Sequence, residues 1–191
     1  MVRAGLFDDV DTVIHWHPSS VNAADSASTL ANRSAKFTFS GVSSHAASAP
    51  DRGRSALDAV EAMNFMVNLL REHVPTSTRL HYVITNGGSA PNVVPNTAQS
   101  FYYVRHPNET TLREIWDRVM ATAEAAAVGT GTSMSYKIIH GNYSVLPNDT
   151  LAKVMHAKLS SVGGVEYSEA DEVFAAESSC LLYTSDAADD C

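Results

Sequence analysis

Between residues 35 and 139 the apolar residues switch between a two-residue and a 3.6-residue period, which constrains the fold more than any other feature of the chain. Over Ala35 to Ser40, Phe37 and Phe39 alternate with Lys36 and Thr38, predicting a strand with one buried face. From about Arg54 to His73, Leu57, Val60, Met63, Val67 and Leu70 recur at spacings of three and four and form one apolar stripe, and Pro75 ends that helix. Arg79 to Thr85 alternates again through Leu80, Tyr82 and Ile84, until Asn86-Gly87-Gly88 breaks it. Gln99 to Arg105 is a further strand, with Tyr102 and Val104 on one face. A second helix is expected from about Thr111 to Val128, striped by Leu112, Ile115, Val119, Ala123 and Ala126 and closed by Gly129 and Gly131. Ser133 to Ile139 is the fourth strand. The order β-α-β-β-α-β is the ferredoxin-like split βαβ pattern, an α/β (α+β) fold with four strands and two helices on one face.

Two pieces lie outside that unit. A short apolar run, Val10 to Ile14, leads into His15-Trp16-His17-Pro18 and predicts a strand that stops at the proline. A helix from about Asp149 to Ser161 stops at Gly163-Gly164. The expected organisation is a larger domain of which residues 1–33 and 141–179 are parts, interrupted by an inserted domain at 34–140. Residues 180–191 show neither helical nor strand periodicity and resemble a translated sequencing adaptor, so the native sequence is expected to stop near Ser179. Both cysteines, Cys180 and Cys191, fall in that tail, leaving no disulfide to consider.

Composition narrows the function classes. With 45% apolar and 18% charged residues, the chain can bury a core and is not of disordered type. A net charge of −8 without a Lys/Arg cluster argues against a nucleic-acid partner. No apolar run approaches the roughly 18 residues of a membrane span, and no export signal opens the chain, so a cytoplasmic protein is expected.

Five residues stand out chemically. His45 sits among small residues, Val42-Ser43-Ser44-His45-Ala46-Ala47-Ser48, where an uncovered imidazole can accept or donate a hydrogen bond or bind metal. On a strand, His15 and His17 would point to the same side and could face one metal, although no closed ligand set exists in the chain. In Gly87-Gly88-Ser89-Ala90-Pro91-Asn92-Val93-Val94-Pro95, the flanking prolines restrain Asn92, whose amide suits a carboxylate or carbonyl, with an ordinary glycine-proline connection between strands as the equal alternative. Arg105, at a strand end, can grip a carboxylate bidentately, with a solvated edge charge as the default.

As a set, His-Trp-His-Pro, the small-residue histidine, Gly-Gly-x-Ala-x-Asn-Val-Val-Pro and the strand-end arginine resemble the aminoacylase and dipeptidase superfamily of metal-dependent amidohydrolases. The resemblance spans about Leu6 to Glu177. It implies a catalytic domain with two divalent metal ions, Zn or Mn, and a βαββαβ lid inserted into it through which the protein dimerises with itself or a related chain. By position, His15 matches a metal-ligand histidine, and His17 is its neighbour rather than a ligand. His45 matches the lid histidine that reaches the partner subunit's active site and polarises the scissile carbonyl or stabilises the oxyanion. Asn92 and Arg105 match holders of the substrate carboxylate. The implied reaction is hydrolysis of an acyl-amino-acid amide, foremost p-aminobenzoyl-glutamate to p-aminobenzoate and glutamate. A hippurate-type N-acyl-amino-acid substrate and a non-catalytic βαββαβ ligand-binding or dimerisation module are the alternatives. Two spellings depart from the family: Ser43-Ser44 stands where Gly-Gly is frequent, and His-Trp-His-Pro replaces the commoner His-Asn-Trp-Pro. Since the implied general base and most ligands would lie outside it, this polypeptide alone is expected to be inactive.

Overall fold

The computed structural model describes residues 1–19 and 22–181, so residues 182–191 of the expected tail lie outside the described residues. Residues Ala27–Pro147 form one compact unit, and the residues before and after it form another. Within Ala27–Pro147, strands β1 (Ala31–Ser40), β2 (Arg79–Asn86), β3 (Thr97–His106) and β4 (Ser133–Asn142) make one antiparallel sheet in the order β2-β3-β1-β4. Helix α1 (Ala56–Leu70) connects β1 to β2, and α2 (Glu109–Thr130) connects β3 to β4. This is the expected ferredoxin-like arrangement.

The two helices cover one face of the sheet. Val60, Met63, Val67 and Leu70 of α1, with Leu112, Ile115, Val119, Ala123 and Ala126 of α2, are buried against Ala35, Phe37, Phe39, Tyr102 and Val104. At the centre lies Phe37, fully buried, with its ring centroid 5.6 Å from Tyr102, 6.0 Å from Trp116 and 6.0 Å from Tyr136. Aromatic contacts of this kind add about 0.5–1.5 kcal/mol each beyond the area they bury. The core holds one polar knot: Asn64 Oδ1 accepts from Ser100 Oγ at 3.3 Å and from the Tyr102 hydroxyl. Burial pushes the Tyr102 phenol well above its ordinary range, which keeps it a neutral donor.

Caps fix the helix boundaries. The Ser55 side chain accepts from Asp58 N at 3.1 Å and starts α1, while Asn108 accepts from Thr111 N at 3.0 Å and starts α2. Helix α2 runs through Gly129 and ends on Gly131, whose φ of 65° is the left-handed cap conformation. In the other unit, α3 (Asp149–Val162) follows the expected span, and α4 (Glu169–Leu181) is a helix that the apolar periodicity does not predict. Its signal lies in the cap instead, because Ser168 and Asp171 bond reciprocally at 2.7 to 3.3 Å across its first turn. No helix among the described residues is long and apolar enough to cross a membrane.

The strand expected over Val10 to Ile14 does not form. A strand exists only through its ladder, and residues 10–19 find no pairing partner among the described residues; Ile14 and Trp16 remain exposed.

Where β1 ends, Gly41 lets the chain turn against itself. A Cβ there would stand 1.9 Å from the Arg54 carbonyl oxygen, inside the Val42–Arg54 bridge whose two N–H···O bonds measure 2.8 and 2.9 Å. Gly41→Ala is therefore expected to cost about 2 kcal/mol or more in chemical denaturation, as backbone must move. Gly129→Ala, in open space inside α2, should instead stabilise by roughly 0.5–1 kcal/mol.

Candidate functional site

Two loops meet at the Ser40/Thr97 end of the sheet. Val94 N donates to Ser44 O at 3.0 Å, Ala46 N donates to Asn92 O at 2.9 Å, and His45 and Val93 form an antiparallel bridge. Ser43 Oγ adds a bond of 2.9 Å to Val94 O. His45 and Asn92, 47 positions apart by their residue numbers, are thus joined mainly through backbone. An open groove of about 350 Å³, lined by Leu57, Gly87, Gly88, Pro91, Val93 and Pro95, adjoins Asn92.

The His45 ring is exposed but oriented. Its Nδ1 accepts from Ala47 N at 3.2 Å, Ser48 N at 3.2 Å and Ser48 Oγ at 2.9 Å. A backbone N–H can only donate, so Nδ1 must carry the lone pair and the neutral ring holds its proton on Nε2. The ring therefore presents a hydrogen-bond donor outward. In that tautomer Nε2 has no lone pair for a metal, which leaves donation, of the three roles open to an isolated histidine, as the one this turn supports. Ser44, by contrast, has its hydroxyl sealed without a partner, in a pocket where a Cβ on Gly53 would meet it at 2.5 Å.

Arg105 lies at the other end of the sheet. It is eight residues beyond the first residue of β3, about 26 Å at roughly 3.3 Å per residue. The structure thus brings His45 and Asn92 together and leaves Arg105 apart from both. The default of a solvated edge charge does not hold either. Arg105 is 8% exposed, its guanidinium carbon lies 5.3 Å from the Tyr103 ring centroid, and its Nε is sealed without an acceptor. In register it is flanked by Asn32 on β1 and Arg79 on β2. Beside it, Asn32 Nδ2 donates to His140 Nε2 at 3.1 Å, and His140 Nδ1 donates to Ser34 Oγ at 3.0 Å. None of Asn32, Arg79 or His140 stands out in the sequence, since only the pairing register puts them around Arg105.

His15 is exposed, in a segment without strand structure, so the shared-face argument for His15 and His17 lapses. His17 Nδ1 donates to Pro18 O at 2.7 Å. Among the described residues no three His, Cys, Asp or Glu side chains gather closely enough to hold a metal ion. A stable centre needs three or four such donors, so the residues present do not by themselves make one.

Residues 28–131 match the model of the peptidase dimerisation domain, M20_dimer. The chain is 42% identical over 187 residues to a p-aminobenzoyl-glutamate hydrolase subunit of Escherichia coli (strain K12), covering 97% of this chain and 39% of that protein. It is 32% identical over 174 residues to the Xaa-Arg dipeptidase of Mus musculus, covering 91% of this chain and 40% of that one. Among solved structures, the aminobenzoyl-glutamate utilization protein from Klebsiella pneumoniae has the same fold, with a TM-score of 0.66 at 24% identity over 87% of this chain and 44% of that one. The chain spans about two fifths of the length of the curated relatives it matches. With more than half of its residues matched by the family model, the chain belongs to the M20 peptidase family, of which it carries the dimerisation domain.

Proposed function

We propose that this chain is part of a metal-dependent amidohydrolase that cleaves p-aminobenzoyl-glutamate, in which each active site is shared between two subunits. The observation that carries the shared site is the separation of His45 and Asn92 from Arg105 by about the length of β3, roughly 26 Å. A substrate of this size cannot touch both ends of one sheet. His45 and Asn92 of one copy therefore serve the site to which the other copy contributes Arg105. The dimerisation-domain match supports an assembly of this kind, with itself or a related chain, and so does the E. coli relative, which is itself one subunit of a hydrolase.

Within that site the His45 Nε2–H is placed to donate to the amide carbonyl oxygen and to hold the charge that develops there on attack. The Asn92 amide and the Arg105 guanidinium hold the carboxylate of the glutamate moiety. His15 is one ligand of a divalent metal pair, Zn or Mn. The other ligands and the general base belong to the three fifths of the relatives' length that this chain does not span. A second reading, a dipeptide or other N-acyl-amino-acid amidohydrolase, is favoured by the likeness to the Xaa-Arg dipeptidase; assays of the full-length enzyme on both substrate types decide between them.

Three outcomes follow. The purified 191-residue polypeptide should release no p-aminobenzoate from p-aminobenzoyl-glutamate with Zn or Mn added, whereas the full-length enzyme should release it. Full-length His45→Ala and Arg105→Ala variants should each be inactive alone. Mixed and allowed to exchange subunits, they should regain about a quarter of wild-type activity, because half the dimers then hold one intact site of two; no recovery would mean that both residues act from the same subunit. Finally, 15N NMR of the imidazole should show Nδ1 unprotonated and Nε2 protonated at neutral pH, and the reverse assignment would remove the donor role of His45.

A further inference from the structure

The four strands contain no Asp or Glu, although the chain has 21 acidic residues. What they contain instead is paired cations. On the face turned away from the helices, Arg79 of β2 stands directly opposite Arg105 of β3, and Lys36 of β1 stands directly opposite Lys137 of β4. The face assignment follows from the alternation. Leu80, Tyr102 and Val104, on the alternate positions of β2 and β3, point into the core. Like charges directly opposite on one face of a sheet are destabilising. A chain with a net charge of −8 has no shortage of acids to relieve them, yet none lies in these strands.

The Arg79/Arg105 pair shows the conflict most sharply. Arg105 is mostly buried, and its Nε is sealed without an acceptor. An unpaired, mostly buried charge is costly and calls for a counter-charge. Arg79 is exposed, and its Nη1 is fixed by the Thr76 and Thr78 carbonyls, both at 2.9 Å, which hold the side chain in place without neutralising it. Tyr103 backs Arg105, and Asn32 lies on its other side. Asn32 has its Nδ2 committed to His140 and offers no further cation, so Arg79 and Arg105 are two facing guanidinium groups without an anion between them.

We propose that Arg79 and Arg105 form a two-guanidinium clamp on the sheet face turned away from the helices that selects acyl-amino acids with an acidic side chain, Arg105 taking one carboxylate and Arg79 the second. The clamp rests on the reading of Arg105 as a carboxylate-binding residue and adds the specificity determinant. A single carboxylate satisfies one guanidinium bidentately and leaves the other cation facing it unrelieved; a dicarboxylate relieves both. The Lys36/Lys137 pair keeps the same face positive beyond the clamp and draws dianions toward it.

The test is binding to the 191-residue chain itself, followed by NMR at the arginine Nε–H groups, with p-aminobenzoyl-glutamate and p-aminobenzoyl-glutamine as the two probes. The glutamate ligand should bind about tenfold more tightly, the size of one charge-assisted hydrogen bond. Arg79→Gln should abolish that preference by weakening the glutamate ligand alone, Arg79→Lys should keep part of it, and Arg105→Gln should weaken both ligands. Unchanged β2–β3 amide signals establish that the variants are folded. Equal affinity of the wild type for the two ligands, or a preference that survives Arg79→Gln, overturns the clamp while leaving Arg105 as a carboxylate site. If neither ligand perturbs Arg105 and Arg105→Gln changes nothing, the carboxylate reading of Arg105 falls, and the clamp with it.

Discussion

The antiparallel pairing of β1 with β3 is the constraint on which the rest of the unit depends. It runs unbroken from Ala31 opposite His106 to Ser40 opposite Thr97. Because both strands are central, their inward residues Phe37, Phe39, Tyr102 and Val104 form the floor on which both helices pack. The same register distributes the chemistry. The loops carrying His45 and Asn92 leave the sheet at the Ser40/Thr97 end, while Arg105 sits one residue from the other. A slip of one residue would turn Arg105 into the core and Tyr102 out of it, so the hydrophobic face and the placement of the guanidinium are specified together.

At the loop end the geometry is set by backbone rather than by packing. Gly41 admits the Arg54 carbonyl, the Val42–Arg54 bridge closes the first loop, and the His45–Val93 bridge ties it to the second. His45 then needs only its own turn, Ala47 to Ser48, to fix which nitrogen carries the proton. An exposed ring held by three donors at one nitrogen has a defined chemical face without a pocket around it. Such a residue suits a site completed by another surface.

How much of this is legible in the sequence depends on how local the cause is. The helix stripes are legible because burial repeats with the helical period, and every one of Leu112, Ile115, Val119, Ala123 and Ala126 is buried. The β-α-β-β-α-β order follows from period changes and punctuating glycines and prolines, whereas the family is legible only through the set of motifs around His15, His45, Asn92 and Arg105. The apolar run at Val10 to Ile14 misleads because a strand requires a partner, and hydrophobicity alone does not supply one. Helix α4 escapes the periodicity although Ser168 and Asp171 spell a capping pattern, since an acidic, alanine-rich segment lacks a clear apolar stripe. His45 and Asn92 are visible as motifs, but their union across 47 positions is a product of two loops bonding. The burial of Arg105 and its neighbours Arg79, Asn32 and His140 arise only when the strands are aligned, so no single stretch of sequence announces them.

The sharing of each active site between two subunits is tested most directly by a crystal structure of the full-length enzyme with a non-hydrolysable p-aminobenzoyl-glutamate analogue bound. His45 and Asn92 touching the analogue should come from one subunit, and Arg105 touching the same analogue should come from the other. Finding all three from one subunit around one ligand would contradict it.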